Sequence, residues 1–332
     1  MRAFVVEHYG EDGLRAADVA QPEVGDGDVL VKVSAAGINP LDKMVRNGEF
    51  KRLLKHQTPF VLGHDVAGVV SGVGSAVHDF QVGEEVYARP RDLRIGTFAE
   101  HIAIDQDDLA PKPASLTLHE AAAVPLVSLA AWQALVDRAH VKPGQKVLVH
   151  AGAGGLGSTV IQLAKHLGAT VATTASGKDA ELVRSLGADV VVDYTHEDFA
   201  EVLSGYDVVL DSRGGENLEK SLTVLKPGGQ AIGVSGPPDP GFARQLGAPK
   251  FMGVVMGLLS RKVRKQARQL GVSYSFLFMQ ANGGQLRELA SLYDAGHLRP
   301  LIDKTFPFDQ ALEALAYVEQ GRANGKVVIT LD

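Results

Sequence analysis

Between Arg2 and Ile104, apolar and polar residues alternate in short runs: RAFVVEH, DVLVKVSAAGI, DVAGVVSGVG, GEEVYA and GTFAEHIAI. Glycines close several of these runs. A two-residue period turns one face of each segment towards a core, and valine favours the pleated conformation, so this third of the chain is expected to form a β-rich, barrel-like domain. From about Ala121 the texture changes. Six apolar segments follow in series, KVLVHA, TVATTA, DVVVDY, DVVLDS, QAIGVS and YSFLFM. Between the early ones lie STVIQLAKHLG, DAELVRSLG and NLEKSLTVLKPGG, with apolar residues at helical spacing and glycine near each end. Strands alternating with crossover helices predict a doubly wound parallel sheet. The C-terminal part reads as a helix, GGQLRELASLYDAGHL, a proline-bearing connector, RPLIDKTFPFDQ, a second helix, ALEALAYVEQG, and a strand, GKVVITL. These are expected to pack back on the first domain. The predicted organisation is therefore α/β, with residues 1–124 and 282–332 in one domain and 125–281 inserted as the dinucleotide-binding domain.

Composition narrows the chemistry. The 332 residues include no cysteine, which removes disulfides, thiolate nucleophiles, iron–sulfur clusters and Cys-rich zinc lobes. A net charge of −6 gives no reason to expect nucleic acid as the main partner. The N-terminal MRAFVVEHYGEDGL lacks the long apolar core of a secretion signal, so cytoplasmic residence is expected. The longest apolar stretch, FMGVVMGLLS, is about half of a membrane span, which disfavours a membrane partner. His64, in PFVLGHDVAGVV, has no companion at metal-ligand spacing. HEAAA at His119 begins like a zinc-protease motif but has Ala123 where the second histidine would stand. No metal site is expected.

After KVLVHA comes GAGGLG, in which Gly152, Gly154 and Gly157 fit G-x-G-x-x-G and open a helix. The spacing suits a tight turn, close approach of backbone to a pyrophosphate, and close helix–sheet packing, with the helix N-terminus facing the anion. At the end of the next strand the acid that would hold a ribose diol is missing. Thr174, Ser176 and Lys178 stand there instead, and hydroxyls with a cation suit a 2′-phosphate. The expected cofactor is NADPH.

These residues resemble the medium-chain dehydrogenase/reductase superfamily, in its zinc-independent quinone oxidoreductase and alkenal (enone) reductase branch. The markers are AAGINPLDKMVRNGEF, PFVLGHDVAGVVSGVGSAV, GTFAEHIAI, EAAAVPLVSLAAWQAL, HAGAGGLGSTVIQLAKHLGATV, VRSLGADVVVDY and GRANGKVVI, which together span nearly the whole chain. The resemblance implies a GroES-like catalytic domain made from both chain ends around an inserted Rossmann domain. It places Asn39 near the nicotinamide and substrate carbonyl, with Asp42 fixing the local loop. It implies that Gly154, Gly155 and Leu156 present backbone donors to the pyrophosphate, and that Ser176, Lys178 and Tyr194 clasp the 2′-phosphate. Asp211, Ser235, Asn324 and Lys326 become further cofactor contacts, although turn or cap chemistry explains Asp42, Asp211 and Ser235 equally well. The zinc-bearing cousins have a cysteine where this chain has Asn39, and their last ligand falls near Leu126, so His64 is expected to pack or hydrogen-bond under the nicotinamide site. Where several quinone oxidoreductases carry a tyrosine, this chain has Met44. A homodimer through YSFLFM is also implied.

Without a metal, oxidation of a simple alcohol is poorly served, whereas hydride addition to a quinone or enone needs only hydrogen-bond donors at the carbonyl oxygen. Asn39 is one candidate donor. None of the seven tyrosines has lysine four places on, so the Tyr-x-x-x-Lys pair of short-chain dehydrogenases is absent. Two other readings remain: an NADPH-binding sensing or structural protein with little turnover, and an enoyl reductase of a synthetic pathway. In FMGVVMGLLSRKVRKQARQLG, an apolar run meets five basic residues in eight. A partly buried helix with a solvated basic end is the expected form; a pocket lid, a partner helix and a membrane-surface element are the alternatives.

Overall fold

The computed structural model describes every residue except Arg52, Arg322 and Asp332. Its compact units are Met1–Leu129 with Gln280–Asp332, and Ala130–Met279. The chain begins with strands β1 (Arg2–Val6), β2 (Leu14–Asp18), β3 (Asp28–Ile38), β4 (Phe60–Val61), β5 (Asp65–Val73), β6 (Glu85–Ala88), β7 (His101–Asp105) and β8 (Leu109–Pro111). Helices α1 (Pro40–Arg46), α2 (Leu118–Ala122) and α3 (Pro125–Trp132) accompany them. The second unit contains β9 (Lys146–Val149), α4 (Gly155–His166), β10 (Thr170–Ala175), α5 (Ala180–Ser185), β11 (Val190–Asp193), α6 (Phe199–Val202), β12 (Tyr206–Asp211) and α7 (Gly215–Ser221). It ends with β13 (Leu225–Gly233), α8 (Pro240–Gln245), α9 (Lys250–Leu259), α10 (Arg261–Gln269) and β14 (Ser273–Phe276). The chain then returns to the first unit through α11 (Gly283–Asp294), β15 (Ile302–Pro307), α12 (Ala311–Glu319) and β16 (Lys326–Thr330).

In the first unit, the main sheet runs β15-β16-β3-β5-β6-β8 with β7 also on β3, and a smaller sheet runs β2-β1-β4. The long strand β3 organises the core. Val29, Val31 and Val33 enter one apolar cluster with Val66, Val70, Val86, Ile102, Ile104 and Leu109. The register against β5 shifts between Leu30 and Val31 and again between Val33 and Ala35, and strand alternation points even positions to the face opposite the odd ones. Ala36 and Ile38 accordingly join the other cluster, with Phe4, Val6, Phe306, Phe308 and Ile329.

The second unit is a six-stranded sheet in the order β11-β10-β9-β12-β13-β14, parallel throughout. This is the doubly wound order, which reverses direction beside β9 and so opens a ligand crevice at the carboxyl ends of β9 and β12.

Two sequence expectations are corrected. NLEKSLTVLKPGG is helical only as far as Ser221; from Leu225 it is strand β13, because Leu225 pairs with Tyr206 and the ladder resumes at Gln230 after the Pro-Gly-Gly irregularity. The connector RPLIDKTFPFDQ contains β15, held parallel to β16. YSFLFM does lie at the sheet edge, but Tyr274, Phe276, Leu277, Phe278 and Met279 are buried. The edge is also closed by side chains: Asp239 accepts from the Phe276 N–H at 3.3 Å, Arg138 donates to the Phe276 carbonyl at 2.6 Å, and Gln245 donates to the Phe278 carbonyl at 2.7 Å. Those three backbone groups are thus satisfied within the unit.

Candidate cofactor and catalytic sites

The glycine loop has the shape a dinucleotide requires. A Cβ on Gly152 would fall 2.2 Å from Thr173 Oγ1, and one on Gly157 would fall 2.2 Å from the Ala151 carbonyl. Both positions are therefore closed to any side chain. A Cβ on Gly154 would meet only the Ala151 oxygen, at 3.3 Å. This middle glycine faces open space, so the uncrowded backbone is where a pyrophosphate could approach. Gly154 is also the N-cap of α4 and supplies no side-chain cap. The first-turn N–H groups of Gly155 and Leu156 accordingly have no intrahelical acceptor and are available to an anion.

Ala151 holds the loop in place with φ of 55°, a left-handed conformation uncommon for a residue with a Cβ. Its N–H donates to Thr174 Oγ1 at 3.2 Å, and its carbonyl accepts from the Gly154 N–H at 3.0 Å. Thr174 Oγ1 also lies 3.1 Å from His150 Nδ1, while His150 Nε2 is 2.9 Å from Ser221 Oγ. Ser221 in turn donates to the Asn217 carbonyl at 2.7 Å. A neutral imidazole satisfies this chain by donating from Nε2 and accepting at Nδ1. The network joins the ends of β9 and β10 to α7. It corrects the expectation for Thr174, whose buried hydroxyl is turned inward instead of towards a 2′-phosphate.

Asp211 is also committed internally. Its Oδ1 accepts from the Arg213 and Gly214 N–H groups at 3.1 and 2.6 Å, and its Oδ2 from Asn217 Nδ2 at 2.8 Å, so the fully buried carboxylate caps the β12–α7 turn. Ser235 lies exposed just beyond β13. Ser176 is partly exposed at the end of β10 and donates to Asp179. Lys178 is exposed in the following turn, and Tyr194 is 62% exposed after β11. Asp193 reaches in from β11 so that its Oδ2 would lie 2.5 Å from a Cβ on Gly177. That carboxylate is engaged by Thr195 and His196, and these partners hold its pKa below the usual range, the Thr195 hydroxyl most strongly.

The first unit contains a second, wholly buried polar group. Asn39 follows β3 and is the N-cap of α1; its N–H donates to Asp42 Oδ2 at 2.7 Å, and the other Asp42 oxygen lies 2.6 Å from His64 Nδ1. Asp42 therefore does fix the loop, and it orients the histidine as well. His64 Nε2 is buried without a hydrogen-bond partner among the described residues. Asp65, next along β5, accepts from Asn39 Nδ2 at 2.9 Å, Lys326 Nζ at 3.1 Å and the Leu126 N–H at 2.8 Å. Lys326 Nζ also donates to Asn39 Oδ1. Lys326, expected as a cofactor contact, is thus committed to an internal ion pair. Asn324 is partly exposed two residues earlier. Among the described residues no group of three or more His, Asp or Glu side chains could hold a metal. Glu120 of HEAAA closes a capping box with Thr117.

Sequence reading missed Asp65, His150 and Ser221. The signal for Asp65 was available, since a carboxylate in the apolar run of β5 needs a buried partner. Nothing local signalled Ser221.

The chain belongs to the medium-chain dehydrogenase/reductase superfamily. Its residues 25–114 match the alcohol dehydrogenase GroES-like domain family, and residues 186–329 match the zinc-binding dehydrogenase family. It is 38% identical to an NADPH-dependent alkenal/one oxidoreductase, chloroplastic, of Arabidopsis thaliana, covering 99% of this chain and 79% of that one. It is equally similar, over the same shares, to a 2-methylene-furan-3-one reductase of Solanum lycopersicum. It is similar in structure to a quinone oxidoreductase from Coxiella burnetii, with a TM-score of 0.87 at 31% identity over 100% of this chain and 99% of that one.

Two predictions follow from these buried groups. Asp65→Asn leaves the Lys326 ammonium buried without its counter-charge and should cost about 3–5 kcal/mol. Adding Lys326→Met should recover part of that loss in a double-mutant cycle read by urea unfolding. Burial lowers the His150 pKa from 6.5 to about 4. Because the unfolded chain takes up the proton first, this contributes stability on the order of 3 kcal/mol that is complete above the unfolded pKa and lost as pH falls towards 4. The stability difference between about pH 7 and 4.5 should therefore be smaller in His150→Gln than in the unsubstituted protein.

Proposed function

We propose that the protein is an NADPH-dependent reductase of quinones or of the carbon–carbon double bond of α,β-unsaturated carbonyls, working without zinc. The similarity to an alkenal/one oxidoreductase along 99% of the chain carries this reading. The residues of the second unit fit the cofactor: an uncrowded Gly154, first-turn donors at Gly155 and Leu156, and the partly exposed Ser176 with the exposed Lys178 and Tyr194 for the 2′-phosphate. Bound NADPH supplies the hydride.

The task left to the protein is to stabilise charge on the acceptor's carbonyl oxygen. Asn39 suits this role. Asp65 holds one hydrogen of its amide at 2.9 Å, while the other meets only the Gly37 carbonyl, at 3.5 Å. That second hydrogen has a weak partner to give up. Lys326 on Asn39 Oδ1 polarises the amide and fixes its orientation. The absence of cysteine and the presence of Asn39 at the first ligand position support zinc independence.

Steady-state oxidation of NADPH with a panel of enones, alkenals and quinones tests the proposal, with chelator added in parallel. Turnover should be insensitive to chelator, and Asn39→Ala should lower it far more than NADPH affinity; equal losses in both would remove Asn39 from catalysis. Lys178→Glu should raise the KM for NADPH about tenfold or more, with little change for NADH, because it puts a carboxylate where the 2′-phosphate would lie. Tight NADPH binding with no turnover across the panel would replace the enzyme reading with a sensing one.

A further inference from the structure

Helix α9 departs from its expected form. Phe251, Val254, Val255, Leu258 and Leu259 follow i, i+3, i+4, i+7, i+8 spacing, which places them on one face, yet each is 43–65% exposed. Met256 is the buried residue of this helix. The apolar side is thus largely the solvent side, whereas a partly buried helix would have turned it inward.

The next helix is built the opposite way. Val263 and Ala267 of α10 are buried, and Arg261, Lys262, Lys265 and Arg268 are exposed. Only Ser260, buried and bonded to the Met256 carbonyl at 2.7 Å, separates the two helices, so the apolar stripe leads directly into the basic face. From Pro240 to Leu270 there are seven basic residues and no acidic one. Since the whole chain has 33 basic and 39 acidic residues, the remainder holds 26 against 39, a charge of −13. Positive charge is therefore concentrated beside the exposed apolar stripe of an otherwise acidic protein.

We propose that α9 and α10 form a docking surface for an anionic lipid bilayer. The stripe, about 12 Å long, would enter the boundary between headgroups and acyl chains, while the α10 cations meet lipid phosphates. Charge selects this occupant over a second copy of the chain. A two-fold contact through this face would bring two acid-free basic segments together, although Lys262 is partly compensated by Glu219. The attachment lies on the surface, as no helix among the described residues is long and apolar enough to cross a membrane. The inference goes beyond the reductase reading and does not depend on it.

The test is co-sedimentation of the full chain with phosphatidylglycerol-containing vesicles and with pure phosphatidylcholine vesicles. Binding to the anionic vesicles should be about tenfold tighter or more, and should weaken as salt is raised. Val254→Asp with Leu258→Asp should reduce it at least about tenfold by removing the insertion face. Arg261→Glu with Lys265→Glu should abolish the preference for anionic lipid. Both pairs lie at exposed positions and should leave thermal unfolding and NADPH oxidation in solution unchanged. Failure to bind anionic vesicles, or equal binding to both kinds, would overturn the proposal. So would a dimer in sedimentation velocity that Leu258→Asp splits while vesicles bind nothing, since the face would then belong to a second copy.

Discussion

Asp65 and Lys326 are 261 positions apart in the chain and 3.1 Å apart in space, with almost no water access to either. Charges buried in this way are tolerated only when paired and hydrogen-bonded, so the contact requires β5 and β16 to sit in one sheet at a fixed register. The intervening strand is β3, paired with β5 on one side and β16 on the other. Asn39, just after β3, bonds to both charged groups. The proposed catalytic amide is therefore held by the same interactions that bring the two ends of the chain together.

The second unit uses neutral groups for a comparable task. His150, Thr174 and Ser221 tie two strand ends to a helix and help hold the left-handed Ala151 at the start of the glycine loop. Burial keeps the imidazole uncharged, so the network needs no counter-ion. Its hydroxyls and ring are all occupied internally. Lys178 and Tyr194, by contrast, are exposed beside the loop, so the groups that hold the loop are separate from those that face solvent.

Much of the architecture was legible in the sequence because its signals are local. Valine alternation located β1, β3, β5, β6 and β7, and the strand–glycine–helix series located the six-stranded sheet. The strands β4 and β8 escaped because they are two and three residues long, and β2 and β15 because their residues are mostly exposed. NLEKSLTVLKPGG kept helical apolar spacing past Ser221, but pairing with β12 is a tertiary preference that overrides it. At the sites, glycine spacing carried its own steric reason. Whether a side chain faces cofactor or interior did not: Thr174, Asp211 and Lys326 are all polar residues at plausible positions, yet Thr174 and Lys326 turn inward to partners distant in sequence and Asp211 caps its own turn. For α9 the amphipathic period was readable, but the direction of its apolar side was not.

The position of β16 also bears on synthesis. It lies between β15 and β3 instead of at an edge, and it carries the cation that Asp65 requires. On the ribosome, the second unit has its complete set of strands once Phe276 has emerged, whereas the first unit lacks an interior strand until residues 326–330 have been made. Domains ordinarily fold in the order in which they are translated. Here the order is reversed: the portion made first must wait, with Asp65 unpaired and the β3 edge open, while the portion made later completes its sheet.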